Sequence, residues 1–118
     1  MEVKDFGCDS EASCDYPDFV YPVAEEVAQG KAGRGIVFCG SRVGATIVAN
    51  SVAGVRAVNA YNEDIARQSR EHGDCNVLAL GGRYLDAQKA KRIVEIWLKT
   101  PFSGDERHQR RIRKIERS

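Results

Sequence analysis

The segment around Cys39 has the residue types of an anion-binding or nucleophilic site. An apolar run, Gly35-Ile36-Val37-Phe38-Cys39, is followed by the glycine-bounded segment Gly40-Ser41-Arg42-Val43-Gly44. Glycines let main-chain N–H groups approach a ligand closely, and the N-terminus of a following helix favours negative charge. The same field would lower the pKa of a thiol, and a thiolate there could move a proton beside a carbonyl while the amides hold the oxyanion. The alternative is a buried structural cysteine followed by an ordinary strand-to-helix turn.

His72 and three arginines are the other candidate functional residues. His72 stands at a predicted helix end, where it could serve as an acid or base, or merely as a C-terminal capping cation. Arg107 and Arg111 are four residues apart, so a helix places them on one face, and Arg83 follows two glycines. Converging guanidinium groups suit a phosphate. The alternatives for the arginine-rich C-terminal segment are a solvated helix or a nucleic-acid-binding tail, which would bind with a steep salt dependence.

Composition narrows the class of protein. The chain has 118 residues, of which 42% are hydrophobic and 30% charged, which fits one ordinary globular domain. Its 18 basic and 17 acidic residues give a net charge of +1, which argues against a protein that coats polyanions. No apolar run approaches the roughly 18 residues needed to span a membrane, and the first residues do not resemble a signal peptide. We therefore expect a cytoplasmic protein that does not engage membranes.

The four cysteines are predicted to be free thiols. They stand at positions 8, 14, 39 and 75, and the sequence contains no Cys-x-x-Cys pair. Nothing in the chain indicates secretion, so disulfides are not expected. The spacing of Cys8 and Cys14 is too loose for half of a zinc site, and we expect no metal.

Short apolar runs alternate with amphipathic stretches along the chain. Strands are predicted over Val3–Phe6, Gly35–Cys39, Val55–Ala60 and Asn76–Leu80. Helices are predicted from Pro17 to about Gly30, and over Ala45–Val52, Asn62–His72, Asp86–Lys99 and Asp105–Ser118. This order predicts a single doubly wound α/β domain over residues 1–118, with a mostly parallel sheet of four to five strands in three α/β/α layers. Ligands bind at the carboxyl ends of such strands, which again points to the segment after Cys39 and to Gly81-Gly82-Arg83.

Several ordered motifs resemble the ribose-5-phosphate isomerase B / galactose-6-phosphate isomerase family over nearly the whole chain. The motifs are Asp5-Phe6-Gly7, Asp15-Tyr16-Pro17-Asp18, Gly35-Ile36-Val37-Phe38-Cys39-Gly40-Ser41, Ala49-Asn50, Gly54-Val55-Arg56-Ala57, Ser69-Arg70-Glu71-His72, Asn76-Val77-Leu78-Ala79-Leu80-Gly81-Gly82-Arg83 and Arg107-His108-Gln109-Arg110-Arg111. The resemblance implies an isomerase of carbohydrate metabolism that interconverts aldose and ketose phosphates through a cis-enediolate, without metal or organic cofactor. Ribose 5-phosphate and ribulose 5-phosphate of the pentose phosphate pathway are the expected pair.

The resemblance also implies roles for individual residues. Cys39 would be the base that moves a proton between C1 and C2, and His72 would protonate the ring oxygen to open the sugar. The amides of Gly40, Ser41, Arg42, Val43 and Gly44, with the Ser41 hydroxyl, would hold the enediolate oxygens. Arg83, Arg107 and Arg111 would bind the phosphate. Because family members share active sites between subunits, a homodimer or homotetramer is expected.

Arg42, Gly73 and a missing first unit of the family are departures from the family pattern that favour a second hypothesis. Arg42 replaces a glycine, Gly73 replaces a substrate-binding asparagine, and Ser41 replaces a threonine while keeping its hydroxyl. The first strand–helix unit of the family, which carries an Asp-His pair, is expected to be missing, either because the chain is shortened or because its sheet closes differently. The alternative function is a catalytically weak or inactive relative that binds a phosphorylated ligand or pairs with a complete paralogue.

Overall fold

The structure, a computed structural model, describes residues 15–39, 42–81 and 86–116; at Cys39 and Arg42 it describes the main chain. Five helices and three strands follow one another along the described residues. The helices are α1 (Pro17–Ala28), α2 (Arg42–Asn50), α3 (Glu63–Gly73), α4 (Ala87–Lys99) and α5 (Glu106–Ile115). The strands are β1 (Gly35–Cys39), β2 (Ala57–Asn59) and β3 (Val77–Gly81). The predicted strand Val3–Phe6 lies outside the described residues.

The three strands form a parallel sheet in the order β1–β3–β2. Every residue of the central strand β3 is buried, as its uninterrupted apolar sequence predicts. In the pairing of β1 with β3, Gly35 lies opposite Val77 at the amino ends of the strands, and Cys39 lies opposite Gly81 at their carboxyl ends. These two sides of the sheet are called its amino edge and its carboxyl edge. The described sheet thus confirms a parallel α/β fold, with three of the four to five predicted strands.

Helices cover both faces of the sheet and give it the predicted three layers. Successive side chains of β3 point to opposite faces, so Val77 and Ala79 join one core and Leu78 and Leu80 join the other. The first core lies against α1 and α2, and the second lies against α3 and α4. Trp97 of α4 is fully buried in the second core. No helix of the described residues is long and apolar enough to cross a membrane.

Two sequence-based boundaries need correction. Helix α2 begins at Arg42 and ends at Asn50, whereas the sequence predicted Ala45–Val52, so part of the predicted loop after Cys39 is helical. Strand β2 spans only Ala57–Asn59, inside the predicted Val55–Ala60. The start of α3 is as predicted, because the Asn62 side chain accepts a hydrogen bond of 2.8 Å from the Ile65 N–H and caps the helix.

Candidate active site

Cys39 is the last residue of β1, and helix α2 begins three residues later at Arg42. The first turn of a helix leaves N–H groups without partners inside the helix, and its dipole favours an anion. The main chain thus places Cys39 between the end of a parallel strand and the start of a helix. Gly40, Ser41 and Arg83, which belong to the same predicted site, lie outside the described residues.

The first turn of α2 differs from the predicted glycine loop. Val43 is 59% exposed on this turn. Gly44 is buried within it, and a Cβ there would lie 2.5 Å from Cζ of Tyr16. Gly44 therefore allows the Tyr16 ring to pack closely on the start of α2, which is a packing role that the sequence analysis did not predict.

The surface beside the carboxyl end of β1 is apolar. Phe38 is 61% exposed, whereas the continuous apolar run Gly35–Cys39 is typical of a parallel strand that is buried throughout. Its ring lines an open groove of about 500 Å³ together with residues of α4, namely Ala87, Ala90, Lys91, Val94 and Glu95. The groove offers few of the hydrogen-bond donors that a sugar phosphate needs, so it is not itself the candidate substrate site.

His72 lies at the other edge of the sheet, in the last turn of α3. That helix ends at Gly73, four residues before β3 begins at Val77. The end of α3 is fixed by Arg70, which is 5% exposed and donates hydrogen bonds to the carbonyls of Thr100 (3.1 Å) and Cys75 (2.7 Å). Buried donors of this kind hold their partners in place because leaving them unpaired is costly.

Gly73 contributes its main chain rather than a side chain. Its carbonyl accepts a hydrogen bond of 3.0 Å from Nε of Arg56, and the carbonyl of Asp74 accepts one of 2.9 Å from the same guanidinium. A Cβ at Gly73 would lie 3.4 Å from Sγ of Cys75. The position of the family's substrate-binding asparagine is therefore part of the structural anchor that holds the end of α3.

Helix α5 brings His108 and the two arginines to the same end of α3. The rings of His72 and His108 are stacked, with centroids 4.3 Å apart and a tilt of 31°. His108 is 6% exposed, whereas Arg107 and Arg111 are exposed on α5. Burial, followed by the positive charges of His72 and Arg107, lowers the pKa of His108, although the Asp105 carboxylate opposes this effect. The structure therefore places one exposed and one buried imidazole beside a basic helix.

Within one chain the candidate residues fall into two groups at opposite edges of the sheet. Cys39 stands at the carboxyl edge, while His72 and helix α5 lie at the amino edge. Four residue steps of parallel strand separate the two edges by about 13 Å. A single chain therefore does not bring Cys39 together with His72.

Sequence analysis gave no role to His108, Ser103 or Arg70. For His108 the sequence held a usable signal, because His108 and Ile112 are four residues apart in an otherwise charged helix, a spacing typical of one inward-facing side. In the structure these two positions are the least exposed of α5. For Arg70 a partial signal existed, because Asp74 is four residues later and its carboxylate accepts a hydrogen bond of 2.8 Å from Arg70. For Ser103 there was none, since its partner in α3 is the carbonyl of Glu71, which is distant in sequence. Among the described residues, no group of three or more histidine, cysteine, aspartate or glutamate side chains is arranged to hold a metal ion.

Cys75 is a free, half-buried thiol at the amino edge of the sheet. Burial raises the pKa of this thiol, and the neighbouring Arg56 and Arg70 oppose the shift only partly. A thiol that resists ionisation is a weak nucleophile and base. Cys75 is therefore a structural residue and a natural control for Cys39.

Comparison with known proteins gives consistent matches over almost the whole chain. The family model described as Ribose/Galactose Isomerase matches residues 1–115. YwlF of Bacillus subtilis is 47% identical over 116 residues, which cover 98% of this chain and 77% of that protein. Ribose-5-phosphate isomerase B of Escherichia coli is 44% identical over 115 residues, which cover 98% and 76%. The structure of ribose-5-phosphate isomerase B from Clostridium thermocellum superposes with a TM-score of 0.93 at 50% identity, covering 98% of this chain and 77% of that one.

Proposed function

The chain belongs to the ribose/galactose isomerase family of sugar-phosphate isomerases, and from this premise we propose that it interconverts ribose 5-phosphate and ribulose 5-phosphate. The observation that carries the proposal is the position of Cys39, at the carboxyl end of a parallel strand and directly before the start of α2. The Escherichia coli and Clostridium thermocellum relatives are both named ribose-5-phosphate isomerase B. We expect the reaction to take place in the cytoplasm.

In this proposal Cys39 is the base. The start of a helix stabilises a thiolate, which can accept the proton from C2 of the open-chain aldose as the C1 carbonyl becomes an enediolate oxygen. The same thiol then returns the proton to C1, and the proton of the C2 hydroxyl passes to the C1 oxygen as the C2 oxygen becomes the ketone. The sugar is neither oxidised nor reduced overall, so the step needs no external electron acceptor.

Donors near Cys39 hold the enediolate oxygens. The proposal assigns this role to the main-chain N–H groups of the segment from Gly40 to Gly44, which includes Arg42 and Val43, and to the Ser41 hydroxyl. Support comes from the general behaviour of a helix start, which presents N–H groups to a developing negative charge. His72 donates a proton to the ring oxygen, and its exposed ring at the end of α3 is accessible to a ligand.

Arginines bind the phosphate. Arg107 and Arg111 lie one turn apart on α5 with exposed side chains, which lets both guanidinium groups reach one phosphate. Arg83, which follows β3, is proposed as the third. Because His72 and α5 lie together, the proton donor and two phosphate ligands form one half of the site, and Cys39 belongs to the other half.

A second copy of the chain completes the site. Since Cys39 and His72 lie at opposite edges, we propose a two-fold homodimer in which the carboxyl edge of each protomer faces the amino edge of its partner. The surface next to Cys39 is suited to such contact, because Val43 and Ile47 are 59% and 66% exposed on one face of α2. Two equivalent sites result, each with a thiol from one protomer and an imidazole from the other.

The direct test is an isomerase assay on the purified full chain, with ribose 5-phosphate and hexose 6-phosphates offered separately. The proposal predicts turnover of ribose 5-phosphate in the absence of added metal or cofactor. Thermal stabilisation by these sugar phosphates without any turnover would instead assign the chain to the ligand-binding, inactive alternative. Absence of both turnover and stabilisation would contradict a sugar-phosphate function altogether.

A further inference from the structure

The rings of His72 and His108 form a contact between helices α3 and α5. His72 belongs to the last turn of α3, and His108 lies in the first turn of α5. Their ring centroids are 4.3 Å apart, with planes tilted by 31°, which is a stacked arrangement of two flat rings. His72 is exposed and His108 is buried, so the exposed His72 ring packs on the buried His108 ring.

The buried ring is itself held in place by Ser103. Nδ1 of His108 lies 3.2 Å from Oγ of Ser103, and that oxygen also accepts a hydrogen bond of 3.2 Å from the N–H of Asp105. The N–H of Ser103 donates to the carbonyl of Glu71, the residue before His72, at 3.2 Å. Ser103 therefore ties the His108 ring to the same turn of α3 that carries His72.

The charge state of His108 suits this role. Burial, the charge of His72 when it is protonated, and the cations Arg107 and Arg111 lower its pKa, against the opposing charge of Asp105. A neutral imidazole offers its π face to His72 whether His72 is neutral or protonated, whereas two protonated rings would repel each other. His72 keeps its ring nitrogens available, since among the described residues it makes the ring contact with His108 and no side-chain hydrogen bond.

We propose that His108 is a positioning residue for His72: its buried ring, fixed by Ser103, holds the His72 imidazole in one orientation and leaves the His72 nitrogens free for the substrate. This inference rests on the proposed function for its catalytic consequence, but the contact between the rings does not. A residue that only filled space could be replaced by any apolar side chain of similar size. A positioning residue requires a flat ring.

The test compares His108→Phe, which keeps an aromatic face, with His108→Leu, which fills the space without one. The chain contains two histidines, so in either variant of tag-free protein the remaining imidazole NMR signals belong to His72. In the wild type and in His108→Phe, the ring current of residue 108 should shift the His72 proton signals away from free-imidazole positions. In His108→Leu this shift should disappear, and kcat/KM for ribose 5-phosphate should fall by about 10- to 100-fold. His108→Phe keeps the ring but loses the hydrogen bond to Ser103, so its kcat/KM should fall severalfold only.

Ser103→Ala is a second variant, chosen because Ser103 is exposed and its loss does not open the core. It should move both histidine signals and lower kcat/KM severalfold. The proposal is overturned if His108→Leu and His108→Phe give the same His72 signals and the same kcat/KM, or if Ser103→Ala leaves both histidine signals unchanged. If the wild type isomerises no sugar phosphate, the proposed function fails, and the NMR comparison still decides whether His108 orients His72.

Discussion

Cys39 and His72 lie at opposite edges of one parallel sheet. Cys39 is opposite Gly81 at the carboxyl end of the β1–β3 pairing, while His72 precedes the amino end of β3. A proton transfer needs its groups within hydrogen-bond reach of one substrate, so these two residues act on one sugar only if they come from different copies of the chain.

Removal of the Cys39 thiol should abolish most of the activity. With Cys39→Ala, kcat should fall by about 100- to 10,000-fold, because the base that transfers the proton is lost. The matched control is Cys75→Ser, at a half-buried thiol whose pKa is raised by burial, and it should keep kcat within about twofold of the wild type. Coupled assays of ribulose 5-phosphate formation measure both. Equal activity of Cys39→Ala and Cys75→Ser would exclude Cys39 as the base.

The arginines of α5 should control substrate affinity. Arg107→Gln and Arg111→Gln are each expected to raise KM for ribose 5-phosphate by about 10- to 100-fold, because each removes charged hydrogen bonds to the phosphate. Arg113→Gln is the control, since Arg113 is also exposed but lies on the opposite side of the same helix from Arg107 and Arg111. If all three variants raise KM to the same extent, the effect is one of net charge and the assigned phosphate contacts are wrong.

The exposed face of α2 should be needed for assembly. Ile47, 66% exposed, is expected to lie between the two protomers, so Ile47→Asp should yield a monomer by sedimentation and should lose activity with it. Gln68→Asp places the same charge at an exposed position of α3 and should leave the dimer intact. An active dimer with aspartate at position 47 would show that the protomers meet elsewhere.

Close packing at the start of β1 should make Gly35 sensitive to substitution. A Cβ at Gly35 would lie 2.7 Å from Cγ1 of Val23 and 3.2 Å from Cγ2 of Val27. Gly35→Ala should therefore lower the free energy of unfolding by about 1–3 kcal/mol, measured by urea denaturation. At Gly33 a Cβ meets no described atom within 4 Å, and Gly33→Ala should change stability by less than about 0.5 kcal/mol. Similar values for the two variants would contradict the described packing of β1 on α1.

Local sequence patterns predicted which segments form helices and strands better than they predicted what those segments pack against. The apolar sequence of β3 and the capping side chain of Asn62 depend on short-range physics, and both were predicted correctly. The start of α2 was missed because a glycine at position 44 is typical of a loop. In the structure Gly44 is helical, and because glycine has no side chain the Tyr16 ring can pack against it. The exposure of Phe38 was missed because exposure depends on which elements lie beside a strand.

The sequence indicated which residues are candidates for the site, but it did not indicate where they lie relative to one another in the fold. Motif resemblance identified Cys39, His72 and the arginines as candidates and implied a site shared between subunits, but it did not indicate which of these residues each chain contributes. The separation follows from the strand register, which brings Cys39 to Gly81. The stack of His72 on His108 joins residues 36 positions apart, and no helical or strand period encodes such a contact.

The most direct measurement of the shared site is complementation between two inactive chains. Cys39→Ala and His72→Gln are each expected to be inactive alone, but co-expression forms mixed dimers in which one of the two sites has both residues intact. Random pairing should then restore about one quarter of wild-type activity. Co-expression of the wild type with the chain that carries both substitutions should also give about one quarter, because intact shared sites then occur in wild-type homodimers alone. If each site lay within one chain, this second mixture would instead keep about half of the wild-type activity. No activity in the mixture of the two single variants, with both chains folded, would contradict a site that pairs Cys39 of one protomer with His72 of its partner.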